Sequence, residues 1–210
     1  MSNSSLWSVD KNFMGEELVE FKNSWLFAPI VWDVLFEKYM PEKVNGRFGK
    51  QSFMTAIMFD ETIEKDLVKR IDGIEDEILW CMASQYMFNI SDKDLIVRCI
   101  RDFLKVNEKL TKQLGNHIQE RFNEVADVIN NLEEKESSYF IFKNTSCDDN
   151  VEYWFEEYNE EIDEYENSSL LIKTQALTLL VVIENNKITD VIPNNKLKEY
   201  LGLENLKEEN

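Results

Sequence analysis

Between Gly115 and Phe142 the chain reads GNHIQERFNEVADVINNLEEKESSYFIF, and within that stretch the hydrophobic period changes once. Ile118, Phe122, Val125, Ile129 and Leu132 step four, three, four and three residues apart, which sets all five on one face of an α-helix. Glu133-Glu134-Lys135-Glu136-Ser137-Ser138 is polar and marks a boundary. Tyr139-Phe140-Ile141-Phe142 then reads as a short buried strand. Helices are expected before this point, and a small strand-bearing unit after it.

Upstream, Ala28-Pro29 opens a helix and Pro41 marks its end, since proline is tolerated in a first turn and disfavoured inside a helix. Glu16 to Phe27 is read as helical too, interrupted at Asn23-Ser24. Ser52 to Asp72 gives one or two helices closed by Gly73, and Ile74 to Asn89 is the most hydrophobic helix. Ser91 with Asp94 has the spacing of a capping box, followed by the stripe Ile96, Cys99, Ile100, Phe103, Val106 and Leu110.

Downstream, Leu177 to Glu184 and Lys187 to Ile192 read as strands. Asn185-Asn186 between them tolerates left-handed dihedrals, so a tight hairpin is expected. A short helix is expected over Lys196 to Leu203. The predicted fold class is therefore α+β and helix-dominated. A multi-helix part spans residues 1–135. A small antiparallel hairpin or sheet unit with an acidic amphipathic helix spans 136–210, and the two parts are free to share one core.

That acidic helix is the most unusual feature of the chain. From Asp148 to Glu166 there are ten carboxylates, five aromatics and no basic residue. Asp149 with Glu152 has capping-box spacing. Val151, Trp154, Phe155, Tyr158, Ile162 and Tyr165 fall on one side at helical spacing, and Glu152, Glu156, Glu160 and Glu164 form a row on the other. Glu157, Glu161 and Asp163 flank the row. Like-charged neighbours along such a helix cost on the order of 1–2 kcal/mol together, against about 1.5–3 kcal/mol for each aromatic buried. Two readings follow. The row is a solvated face over core aromatics, as most charge runs are, or it is a surface for a basic partner.

The chain has 210 residues and a formal net charge of −18, from 41 acidic and 23 basic side chains. Its 13 Phe, 7 Tyr and 5 Trp separate it from disordered acidic chains. The negative charge disfavours nucleic acid and anionic membranes as direct partners and favours a basic protein surface. Three cysteines without paired spacing point to a reducing compartment, so a cytoplasmic location is expected. Met1 to Trp7 lacks the basic and apolar regions of a secretion signal.

Catalytic signatures are sparse. His117 is the single histidine, which rules out sites built on several imidazoles. His117 with Glu120 reverses the order of the di-iron Glu-x-x-His pair, without a second copy. Cys147 precedes the expected helix cap, but Asp148 and Asp149 oppose thiolate formation. Neither a phosphate-binding glycine loop nor a calcium loop is present. No catalytic residue, metal ligand or cofactor is assigned.

The expected function is that of a non-enzymatic protein that binds and occludes a basic surface of a partner, such as a nuclease or other nucleic-acid-binding protein. Inhibitors, immunity proteins and counter-defence proteins of phage or mobile elements work this way, in some cases by mimicking nucleic acid. The expected contact residues are Glu152, Glu156, Glu157, Glu160, Glu161 and Glu164, with Trp154, Phe155 and Tyr158 holding them rigid from behind. The alternatives are an enzyme with a carboxylate site, and an assembly component using Trp7, Trp25, Phe27 and Trp32.

Overall fold

The computed structural model describes residues 3–22, 27–46, 49–134, 137–144 and 151–203. A six-stranded sheet organises them. In sequence order its strands are β1 (Asn3–Val9), β2 (Gly15–Lys22), β5 (Met87–Asn89), β6 (Tyr139–Lys143), β9 (Leu179–Glu184) and β10 (Lys187–Pro193). In space the order is β10-β9-β5-β6-β1-β2. Neighbours are antiparallel except β5 and β9, which run parallel. Strands from both sides of the expected boundary at 135/136 thus build one sheet.

Strand side chains alternate between two cores, as the two-residue period requires. Leu6, Phe21, Phe88, Phe140, Phe142 and Val181 face the helices. Trp7, Val9, Met87, Ile141, Leu180 and Ile192 face the other way. The helical layer contains α1 (Phe27–Tyr39), α5 (Ile74–Ala83), α6 (Lys93–Val106) and α8 (Asn116–Asn130). Shorter helices border it: α2 (Pro41–Val44), α3 (Phe53–Phe59), α4 (Thr62–Arg70) and α7 (Glu108–Leu114). A two-residue ribbon of β3 (Asn45–Gly46) and β4 (Gly49–Lys50) lies between α2 and α3. Phe27 joins helices to sheet, its ring 4.5 Å from Phe122 and 5.1 Å from Phe142. The α8 stripe is buried throughout, from 0% exposure at Phe122 to 7% at Leu132.

The second face of the sheet is covered by thinner material. Short 3₁₀ turns at Val151–Phe155 and Leu170–Ile172, together with α9 (Leu197–Tyr200), supply Val151, Trp154, Phe155, Leu170 and Leu197. This layer positions the acidic segment.

Several sequence expectations need correction. The helix expected from Glu16 is a strand over Gly15–Lys22, α1 begins at Phe27, and residues 23–26 of that expectation lie outside the described residues. Asp10 sets that hairpin by accepting the N–H groups of Asn12 and Met14 on Oδ1, at 2.8 and 2.9 Å. The helix expected over Ile74 to Asn89 ends at Ala83, where Gln85 takes a positive φ of 61° and Met87–Asn89 enters the sheet. The cap near Ser91 is made by Asn89, whose Oδ1 accepts the Ser91 N–H at 2.9 Å. Val106 is 83% exposed because α6 ends there, so the stripe does not continue to Leu110. Other expectations agree with the structure: α3 and α4 divide Ser52 to Asp72, and Asn185 and Asn186 both adopt positive φ in the β9–β10 turn.

Candidate functional site

The segment read as an acidic helix is not one. Residues Val151–Phe155 form a 3₁₀ turn, and the chain then folds back as a separate hairpin of β7 (Glu156–Asn159) and β8 (Glu164–Asn167). Two features favour this outcome, one in the core and one in the turn. Trp154 and Phe155 are adjacent, yet both enter the second core, where the Phe155 ring stacks on Trp7 with centroids 5.6 Å apart. Asn159 and Asp163 carry turn chemistry. Asn159 Oδ1 accepts the Glu161 N–H, the Asn159 carbonyl accepts the Asp163 N–H at 3.0 Å, and Asp163 sits at φ 59°.

The register pairs Glu156 with Asn167, Glu157 with Glu166, Tyr158 with Tyr165 and Asn159 with Glu164. Alternation then gives two faces. One carries Glu156, Tyr158, Tyr165 and Asn167; the other carries Glu157, Asn159, Glu164 and Glu166. Tyr153, on the preceding turn, joins the first face. Its ring centroid is 6.0 Å from that of Tyr165, which is 5.3 Å from that of Tyr158. All three rings are open to solvent, with exposures of 56% for Tyr153, 46% for Tyr158 and 61% for Tyr165. The Tyr158 hydroxyl donates to Asp163 Oδ1, and this bond is the first cause raising the phenol above its ordinary pKa.

The expected contact residues therefore do not form one row. Glu152 lies on the 3₁₀ turn in an ion pair with Lys143. Glu157 pairs with Lys173 at 2.8 Å. Glu160 and Glu161 occupy the hairpin tip, Glu156 shares the tyrosine face, and Glu164 lies on the opposite face. Among the described residues, no lysine or arginine is ion-paired with Glu156, Glu160, Glu161, Asp163, Glu164 or Glu166. Trp154 and Phe155 are buried, whereas Tyr158 is exposed. Tyr153 and Tyr165 are not among the contact residues that the sequence suggests. The signal for Tyr165 is the repeat Glu157-Tyr158-Asn159 and Glu164-Tyr165-Glu166 about a four-residue tip, whereas Tyr153 precedes that repeat and carries no such signal.

Other candidates are placed as follows. His117 is exposed on the first turn of α8. Cys81 and Cys99 are buried, and desolvation pushes each thiol up to about 12. Cys147, Asp148, Asp149 and Trp25 lie outside the described residues, as does the cap expected at Asp149. Trp7 and Phe27 are buried in different cores, and Trp32 is half-buried against Phe53. Among the described residues, no group of three or more His, Cys, Asp or Glu is arranged to hold a metal ion. No helix among them is long and apolar enough to cross a membrane.

A cleft of about 340 Å³ opens between α1 and α7, walled by Ile30, Val34, Leu110 and Leu114. Its polar groups already have structural partners. Asp33 Oδ1 accepts the Phe53 N–H at 2.8 Å at the start of α3, and Lys50 pairs with Glu37 at 2.8 Å. Burial raises the Asp33 carboxyl above its usual range, against the lowering effect of that backbone bond.

No family model, curated protein or solved structure matches the chain.

Proposed function

We propose that this protein binds a basic surface of another protein through the hairpin Glu156–Asn167 and, by covering that surface, blocks its activity. One observation carries the reading. Six carboxylates, at Glu156, Glu160, Glu161, Asp163, Glu164 and Glu166, surround a projecting two-stranded element without an ion-paired lysine or arginine among the described residues. Mutual repulsion in such an element is relieved when a cationic surface approaches, and the same field speeds the encounter. Glu152 and Glu157 have a different part. Their lysine partners join the segment to the body, so they hold the surface in place. Partners of this kind include nucleases and other nucleic-acid-binding proteins, whose phosphate-binding surfaces a set of carboxylates would occupy.

The test is capture from the native host with two forms of the protein, the parent and a variant with Glu160, Glu161, Glu164 and Glu166 all changed to Gln. The expected result is a basic protein held by the parent at low salt, released as salt rises, and inhibited in its own activity. The quadruple variant should hold and inhibit it far less. A partner bound and inhibited equally by both forms would remove this surface from the function.

A further inference from the structure

The carboxylates around the hairpin are consistent with solubility alone, but the tyrosines are not. A solvated ribbon gains nothing in solubility from three large rings, each about half open to water. Cross-strand pairing accounts for part of the pattern, because Tyr158 and Tyr165 face each other and support the ribbon. It does not account for Tyr153, which precedes both strands and still lies against Tyr165. The ring planes are inclined by 48° for Tyr153–Tyr165 and by 58° for Tyr158–Tyr165, so the three do not stack flat and hide one another. They form an open aromatic platform centred on Tyr165.

We propose that this platform is an anchor site for guanidinium groups, and that the partner contributes an arginine-bearing segment whose side chain lies on Tyr165 between Tyr153 and Tyr158. The inference rests on the proposed function in one respect: the partner is basic. It adds which cation is read and by which atoms. Ring faces attract cations through their quadrupole. Arginine suits them better than lysine, because its guanidinium is planar, weakly hydrated and able to stack while its N–H groups stay free. Those N–H groups have carboxylate acceptors at hand, Glu156 on the same face and Asp163 beside the Tyr158 hydroxyl. The cation–π contact found among the described residues is Lys38 over Tyr39, so no described cation of the chain lies over this platform. Tyrosine and arginine are also, with tryptophan, among the residues enriched where interfaces concentrate their affinity.

The probes are three short blocked peptides of one sequence carrying arginine, lysine or neutral citrulline at the same positions. Affinity is measured at low salt by calorimetry, and ring contact by the upfield shift of the arginine side-chain methylene protons. The arginine peptide should bind about 3- to 10-fold tighter than the lysine peptide. Tyr165→Phe, which keeps the ring face, should preserve that ratio and the upfield shift. Tyr165→Leu should abolish both. Tyr153→Leu, outside the paired strands, should reduce them without touching hairpin pairing, and so answers the question even if Tyr165→Leu loosens the ribbon. Equal affinity for arginine and lysine peptides, unchanged in Tyr153→Leu and Tyr165→Leu but weakened by the Glu→Gln changes, would overturn the arginine site and leave the charged surface standing. Binding of neither cationic peptide by the parent protein would overturn both.

Discussion

Lys173 Nζ donates to Glu157 Oε2 at 2.8 Å and also to the main-chain carbonyl of Glu156, so one ammonium holds both the side chain and the backbone of the first hairpin strand. The lysine side chain is 13% exposed and the glutamate 60%. The cation is thus fixed from below, at the end of the Leu170–Ile172 turn whose Leu170 is buried in the second core. Lys143, also 13% exposed, holds the Glu152 side chain from β6. The acidic segment is therefore bolted to the sheet at its base and left open toward its tip.

Lys173→Met keeps the length of the stem and removes the ammonium. A largely exposed carboxylate partner limits the loss, so global stability should fall by only about 1 kcal/mol. The local effect should be larger. Amide exchange in β7 and β8 should accelerate while that in β1, β6 and β9 stays near the parent rate, because the hairpin opens independently of the sheet. Uniform acceleration across both regions would show that the hairpin and sheet are a single cooperative unit.

Gly15 makes a second contact on which the segment depends. A Cβ placed there would come within 2.4 Å of the Phe155 ring, too close for any real contact. Phe155 is 2% exposed and stacked on Trp7, so the ring has little room to retreat. Gly15→Ala should therefore cost about 1–3 kcal/mol, the usual range for overpacking a filled core. Urea denaturation followed by tryptophan fluorescence would read the lost stability. A midpoint equal to the parent's would show that the turn at Val151–Phe155 adjusts freely.

These contacts explain which parts of the fold could be read in the sequence. The α8 stripe was legible because its five apolar residues fit one period and one face. The β9–β10 hairpin was legible because Asn185-Asn186 states its own turn. The β1–β2 hairpin was not, since Leu18, Val19 and Phe21 fit neither period cleanly. The register shift opposite Leu6 and Trp7 leaves Leu18 44% exposed while Phe21 is fully buried, and β1 finds β6 more than a hundred residues away. The acidic segment was ambiguous for a different reason. Trp154, Phe155, Tyr158, Ile162 and Tyr165 satisfy helical spacing, yet Tyr158 and Tyr165 are also equidistant from a four-residue tip. What decided between them was the hydrophobic site beside Trp7, assembled from residues far away in the chain. The charge of the site was therefore readable, and its shape was not.

Glu17 gives a pH signature of the same region. Its carboxyl is raised above the ordinary 4.5, first by burial and then by the nearby charge of Glu152, with Lys143 acting in the opposite direction. Glu152 Oε2 is itself buried without a hydrogen-bond partner. In the window just above 4.5 the folded chain keeps a proton on Glu17 that the unfolded chain has released. The folded state binds more protons there, so this group's contribution to stability is most favourable below the window and declines as pH rises through it. Glu17→Gln cannot ionise and should remove that decline, so the stability difference between variant and parent should grow as pH rises through the window above 4.5 and then level off. Urea midpoints for both proteins at half-unit intervals would measure it. A difference that stays constant across the range would mean that Glu17 titrates alike in the folded and unfolded chains, and that the Glu17–Glu152–Lys143 cluster exerts no net hold on its proton.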